Sequence, residues 1–195
     1  MKADSAAAAP PPDPARARLL EALAALVPAD EVEARHLDAL LGLVGTEPAC
    51  FSRATFVPGH VVGSAFVLHP PTRRVLLHLH RRLGRWLQMG GHDDGERDAL
   101  ATALREGREE SGLTDLAPLS AAILDVDVHP IPAGKGEPPH LHFDVRWAVA
   151  TARPDGIFRD DAESAALEWL GLEEAAARMD EPGATRALAK IAALL

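Results

Sequence analysis

Glu106, Glu109 and Glu110 stand at i, i+3 and i+4 in a proline-free stretch. On a 3.6-residue period that spacing puts three carboxylates on one helical face. Three like charges so close repel in water, and a divalent cation among them removes the repulsion. Hard ions such as Mg²⁺ take several anionic oxygens and keep waters besides. Such a site can neutralise phosphate oxygens and generate hydroxide near neutral pH, which is what hydrolysis of a diphosphate requires. A solvated acidic helix is the plainer reading of a Glu-Glu pair. Here Gly90-Gly91 precedes the run, Arg105-Glu106 lies inside it, and Gly112 closes it.

A second constellation is rich in imidazole. His140-Leu141-His142-Phe143-Asp144-Val145-Arg146-Trp147 alternates with period two, so His140, His142, Asp144 and Arg146 share one face of a half-buried strand. His92 and His129 join them if the strands over 121–128 and 140–147 pair beside the loop at Gly90-Gly91. Three readings stay open: contact with a substrate, a transition-metal cluster, since imidazole suits Zn, Fe or Mn better than Mg, or a polar sheet face without a ligand. Arg85, with Arg81 and Arg82, is either a solvated turn or a phosphate clamp.

These residues need a helix and several strands to hold them. The carboxylate helix is expected from Glu96 to a left-handed cap at Gly112. Leu100, Ala103, Leu104, Gly107 and Ser111 form its packing face. Strands are expected at 54–57, 61–68, 75–80, 121–128, 140–147 and 167–170, the second and third forming a hairpin. Helices are expected near 173–179 and 184–195. Two amphipathic helices precede the strands, at about 15–26 and after Asp30, where Asp30 and Glu33 suggest a capping box. They form a helical hairpin packed on the domain or on a second subunit, or else a lid over the substrate.

The stretch around the glutamates resembles the box of the Nudix family. That box reads glycine, five residues, glutamate, seven residues, then Arg-Glu-aliphatic-x-Glu-Glu-x-Gly-aliphatic. Gly91, Arg105, Glu106, Glu109, Glu110, Gly112 and Leu113 fall in register with it. Two positions depart: Arg97 stands where the first glutamate belongs, with Glu96 one residue early, and Gly107 stands at the aliphatic position. The resemblance implies an α/β (α+β) fold, an α/β/α sandwich with a mixed sheet, here preceded by the helical extension. It implies hydrolysis of a nucleoside diphosphate derivative or similar small phosphorylated metabolite, with Mg²⁺ or Mn²⁺ as cofactor. The Gly90 carbonyl with Glu106, Glu109 and Glu110 would hold the metal, and Arg105 would orient Glu109. Gly91, Glu96 and Gly112 would be structural, and Arg85, His92, His129, His140 and His142 would meet the substrate. For the displaced glutamate, either Glu96 reaches inward to Arg105 while Arg97 faces solvent, or Asp98 serves from the other side. Gly107 is expected to make room for a bulky neighbour.

Composition sets the remaining bounds. The chain has 195 residues and a formal net charge of −9 with scattered basic residues, which argues against nucleic acid as a partner. An Ala/Pro-rich tail over 1–14, the extension over 15–50 and a hydrolase domain over 51–195 are expected. No apolar run is long enough for a membrane span and the N-terminal residues form no secretory signal, so the expected location is the cytoplasm. A homodimer is a candidate assembly. The single Cys50 excludes an internal disulfide and reads as a packed thiol. That sets aside the cysteine-dependent isopentenyl-diphosphate isomerases, which are relatives of the family. A catalytically silent binding module is the rival function, and Arg97 and Gly107 are its support.

Overall fold

The computed structural model describes residues 13–134, 136–159, 162 and 164–195. The expected Ala/Pro-rich tail lies outside them except at its last two residues. There Asp13 accepts from the amides of Ala15 and Arg16, and α1 (Pro14–Ala24) follows. Helix α2 (Glu31–Thr46) begins at Asp30, whose Oδ1 accepts from Glu33 N at 2.7 Å. The return half of the capping box is displaced by one residue, because Glu33 Oε2 accepts from Ala29 N at 2.7 Å.

An eight-stranded mixed sheet follows: β1 (Gly59–His69), β2 (Arg74–His80), β3 (Arg85–Leu87), β4 (Met89–His92), β5 (Ala117–Pro118), β6 (Asp125–Ile131), β7 (His140–Ala150) and β8 (Ser164–Gly171). Strand β1 runs parallel to β7 and antiparallel to β2 and β4, and β6 pairs antiparallel with β7. Helix α3 (Ala99–Ser111) leads from β4 to β5, and α4 (Leu172–Met179) and α5 (Pro182–Leu194) end the chain.

Two apolar clusters lie on opposite faces of the sheet. On one, Val61, Ala65, Val67, Phe143, Val145 and Val149 pack with Leu23 and Leu40 of the N-terminal helices and Ala103 of α3. On the other, Phe66, Leu68 and Ala148 pack with Leu188 and Ile191 of α5. The fold is therefore the expected α/β/α sandwich. The N-terminal helices share its core, as the packed-hairpin reading requires.

A buried ionic network ties α2 and α5 to the sheet. Arg146 Nε donates to Asp144 at 2.7 Å, and its terminal nitrogens lie 3.3 Å from Asp127 and 3.4 Å from Asp125. Asp125 also binds Arg186 at 2.8 Å and Lys190 at 3.1 Å, and Lys190 bonds Glu33 of α2. One charge so enclosed is tolerable only with such partners.

Three expected boundaries move. Residues 54–57 form no strand: the Thr55 hydroxyl binds Ala49 O and the Thr55 carbonyl meets His60 Nδ1, so the segment serves a turn. The strand expected at 121–128 runs from Asp125 to Ile131 instead, because Ser120 Oγ takes the Ala122 amide in a bend. Pro130 fits within it because β6 pairs only with β7. Helix α3 starts at Ala99, three residues later than Glu96 suggests, after an Asp98 cap whose Oδ1 accepts from Leu100 N and Ala101 N. Gly95 (φ 112) and Arg97 (φ 52) cannot belong to a right-handed helix.

Candidate functional site

Gly112 ends α3 with φ 74, the left-handed cap its residue type favours. The helix lies close on β1: a Cβ on Gly63 would meet Ala99 O at 2.3 Å. The same closeness explains Gly107, where a Cβ would stand 3.0 Å from Leu116 Cδ1 and 3.6 Å from Ala65 Cβ. The bulky neighbour expected there is Leu116.

The three glutamates fan out from the helix rather than all facing outward. Glu109 is 59% exposed in its side chain, Glu106 is half-buried, and Glu110 is buried. Glu110 Oε2 accepts from Gly90 N at 2.8 Å, and its other oxygen lies 3.8 Å from His78 Nδ1. Glu106 lies over the next residue of β4, where a Cβ on Gly91 would meet its Oε1 at 2.3 Å. Burial raises the Glu106 pKa, opposed by Arg105. His78 falls to about 4 because burial disfavours its charged form.

Arg105 is the hub. Its Nη1 bridges Glu106 Oε1 at 2.9 Å and Glu109 Oε2 at 3.0 Å, and its Nη2 donates to His92 O at 2.7 Å. Its Nε donates to Glu96 Oε1 at 2.7 Å, while Thr102 Oγ1 donates to Glu96 Oε2 at 3.0 Å. Glu96 thus reaches Arg105 from one position early, and Asp98 is occupied as the helix cap. Arg97 is half-exposed but not free: its Nη2 pairs with Asp13 Oδ2 at 2.7 Å and its guanidinium lies 6.0 Å from the Phe51 ring centre.

The donor set suits a hard divalent cation in kind. All its donors are oxygens, and a guanidinium nitrogen already sits between two of the carboxylates, marking a place that attracts positive charge. Glu109, though mostly exposed, is held toward Glu106 by their shared bond to Arg105 Nη1.

Across the sheet lies the imidazole cluster. His60 faces His142 in the β1/β7 ladder, His129 faces His142 in the β6/β7 ladder, and Val62 faces both Asp144 and His92. Register therefore puts these histidines on the face opposite α3. The His142 ring centre lies 4.9 Å from that of His60, 5.0 Å from His92, 5.3 Å from His140 and 5.7 Å from His129. His92, His129, His140 and His142 thus come together as expected. Burial, helped by neighbouring charge, lowers His92 to about 4 and His142 further still. Asp127 is held well below the usual carboxylate range: burial acts to raise it, but His129 and Arg146 outweigh that.

Arg85 does not join them. It opens β3, separated from β1 by β2, and its Nη2 lies 3.4 Å from Met179 O at the end of α4. His60 is the member that sequence reasoning missed. Its place depends on parallel pairing with a strand some eighty residues away, and the only local signal is the valine-rich run that follows it. Cys50 is fully buried, and burial pushes its thiol up to about 11, as an inert packed cysteine requires.

Comparison with known proteins adds the family. The model of the NUDIX domain matches residues 59–191. Among solved structures, a binary complex of the C. elegans Ap4A hydrolase superposes with a TM-score of 0.56 at 20% identity, covering 68% of this chain and 95% of that one. The E. coli dihydroneopterin triphosphate pyrophosphohydrolase gives 0.53 at 19% identity, covering 66% and 91%. The Nudix hydrolase RenU from M. smegmatis gives 0.52 at 19% identity, covering 69% and 84%. No curated protein matches the chain in sequence.

Proposed function

The chain belongs to the Nudix family of hydrolases, and from that premise we propose that it hydrolyses a diphosphate bond in a nucleoside diphosphate derivative or a similar small phosphorylated metabolite, using Mg²⁺ or Mn²⁺. The observation that carries this reading is the Arg105 hub, which holds two carboxylates of α3 together beside the Gly90-Gly91 strand. Glu106, Glu109 and Glu110 with the Gly90 carbonyl would hold the ion. What a divalent ion supplies in such a site is charge neutralisation on the diphosphate oxygens and a water of lowered pKa.

The chain's own residues do the rest. Arg105 fixes Glu106 and Glu109 by charge-assisted bonds, which limits the rotamers these carboxylates must lose on binding. Its bond to His92 O ties the helix to the loop that follows β4. Glu110 accepts the N–H of the Met89–Gly90 peptide, which fastens α3 to β4 next to the Gly90 carbonyl. Of the histidines expected to meet the substrate, His92 is tied to the carboxylate hub through its carbonyl and Arg105, while the rings of His92, His129, His140 and His142 lie on the opposite face of the sheet. His140 is the buried one of the four. No helix among the described residues is long and apolar enough to cross a membrane, and a diffusible metabolite suits work in the cytoplasm.

The silent-module reading loses its two supports. Glu96 has taken the bracing position that Arg97 vacates, and Gly107 fits the close packing of Leu116.

Phosphate release from a panel of nucleoside diphosphate derivatives, with and without Mg²⁺ or Mn²⁺, tests the proposal. Metal-dependent turnover is expected, and Glu109→Gln and Glu110→Gln should each abolish it. Glu109→Gln should leave the melting temperature unchanged because the side chain is mostly exposed. Turnover at the wild-type rate in both variants would rule the site out.

A further inference from the structure

His60, His140 and His142 each offer one ring nitrogen, and the three nitrogens lie within 4.8 Å of one another. The Nε2 atoms of all three are buried and have no hydrogen-bond partner in the protein. His60 is 1% exposed and His140 5%. For these two rings the tautomer follows from the other nitrogen. His60 Nδ1 faces Thr55 O at 3.0 Å, and His140 Nδ1 faces Pro138 O at 2.8 Å. A carbonyl only accepts, so Nδ1 carries the hydrogen and Nε2 presents a lone pair. A backbone carbonyl behind the ring is the support that metal-bound imidazoles have, fixing tautomer and orientation together.

Lone pairs converging in a buried setting are costly unless something electron-poor lies between them. A water has two protons and serves two acceptors at most. With the His142 Nε2 lone pair turned inward as well, three acceptors converge, and a cation serves all three. Imidazole nitrogen selects borderline first-row ions over Mg²⁺ or Ca²⁺, which prefer oxygen.

We propose that His60, His140 and His142 form a three-imidazole site for Zn²⁺ on the sheet face opposite α3, distinct from the carboxylate site. The backbone prepares it. His60 and His142 are direct partners in the parallel ladder, and His140 stands two residues before His142 on the same face. Zinc–nitrogen bonds of about 2.0–2.1 Å place tetrahedral ligands roughly 3.3 Å apart, so small ring rotations close the set. Phe56 packs edge-on against His140 with ring centres 5.1 Å apart. The His92 ring stands 5.1 Å from that of His60 and 5.0 Å from that of His142.

The test uses the full chain, stripped with a chelator and titrated with zinc chloride in excess magnesium chloride. One Zn²⁺ per chain is expected by elemental analysis and calorimetry, undisturbed by Mg²⁺. Co²⁺ in its place should give the intense visible bands of a tetrahedral, nitrogen-rich site. His60→Asn, His140→Asn and His142→Asn should each weaken Zn²⁺ binding by at least about tenfold and remove the Co²⁺ bands. The Glu106→Gln/Glu109→Gln double variant should keep both, even where it loses hydrolysis, which separates this site from the proposed active site. Circular dichroism identifies any histidine variant that fails to fold, and the wild-type Co²⁺ spectrum stands without the variants. Displacement of Zn²⁺ by Mg²⁺, weak octahedral-type Co²⁺ bands, or full Zn²⁺ affinity in the three folded histidine variants would overturn the proposal.

Discussion

Replacing Glu96 by glutamine tests whether the displaced glutamate has kept the bracing role. The substitution preserves shape and one oxygen but removes the charge that faces Arg105. Arg105 Nε lies 2.7 Å from Glu96 Oε1, Arg105 Nη2 lies 3.4 Å from Oε2, and Thr102 Oγ1 lies 3.0 Å from Oε2. A hydrogen bond to a charged group contributes about 1.5–3 kcal/mol and a neutral one about 0.5–1.5 kcal/mol, so losing the charge costs about 1–2 kcal/mol. Arg105 and Glu96 side chains are 23% and 27% exposed. Solvent screening moves the expectation to the lower end, about 1 kcal/mol. The Thr102 bond survives, since its hydroxyl can accept from the new amide as readily as it donated. For a chain of this length about 1 kcal/mol lowers the melting temperature by roughly 2–4 °C.

Arg97→Ala is the matched control. Its guanidinium is half-exposed and pairs with Asp13, outside the Arg105 set, so only a small change is expected. Activity gives a second readout. Without Glu96, Arg105 is shared among fewer carboxylates and pairs more tightly with Glu106 and Glu109, in competition with the divalent ion. The Mg²⁺ concentration for half-maximal turnover should therefore rise severalfold in Glu96→Gln. Urea unfolding and calorimetry measure the stabilities. An Arg97→Ala variant less stable than Glu96→Gln, or an unchanged Mg²⁺ requirement, would refute the reasoning.

Two further outcomes follow from the geometry. Gly107→Leu should destabilise by about 1–3 kcal/mol through overpacking, while Gly107→Ala should be near neutral, because a helix-propensity gain of about 1 kcal/mol is offset by a 3.0 Å contact with Leu116 Cδ1; a Leu variant melting above wild type would show an underfilled site. The metal-free protein should lose stability as pH falls from about 6.5 toward 4. Burial lowers His60, His78, His92 and His142 in the folded state, so the unfolded chain binds protons that the native state refuses, at up to about 1.4 kcal/mol per pH unit for each group. Above pH 6.5 these groups contribute no slope. Urea midpoints that stay level between pH 7.5 and 5 would contradict the burial of these rings.

Legibility followed the range of the forces involved. The helix cap at Gly112, the Asp30 cap and the alternation of β7 are decided within a few residues, and each stands where the sequence puts it. Glu96 was readable as Arg105's partner because the pair spans only the entry to one helix. The start of α3 was misread because Glu96 looks like a first-turn acid, while the two left-handed residues around it are invisible until the loop is closed. The different burial of the three glutamates is hidden from periodicity for a related reason. Periodicity places Glu110 beside Glu109, but the Gly90 amide, held by β1–β4 pairing, draws its carboxylate inward. Arg85 could be read as a solvated turn or a phosphate clamp because its contact, Met179 O at the end of α4, lies more than ninety residues away in sequence.

His92 connects the two sites, and period two explains how. In β4 successive residues face opposite sides of the sheet. Gly91 faces α3, where having no side chain lets the Glu106 carboxylate rest against the backbone. His92 faces the other way, into the imidazole cluster, while its carbonyl accepts from Arg105. One peptide therefore touches the carboxylate hub through its oxygen and the histidines through its ring. A change that pulls Arg105 away from His92 O would turn the His92 plane and with it the ring that packs against His60 and His142. Arg105→Lys keeps the charge but loses the fork that reaches Glu96, Glu106, Glu109 and His92 O together. It should lower diphosphate turnover and also shift the Co²⁺ spectrum of a site it does not touch. A reduced turnover with an unshifted spectrum would mean that the two faces of the sheet act independently.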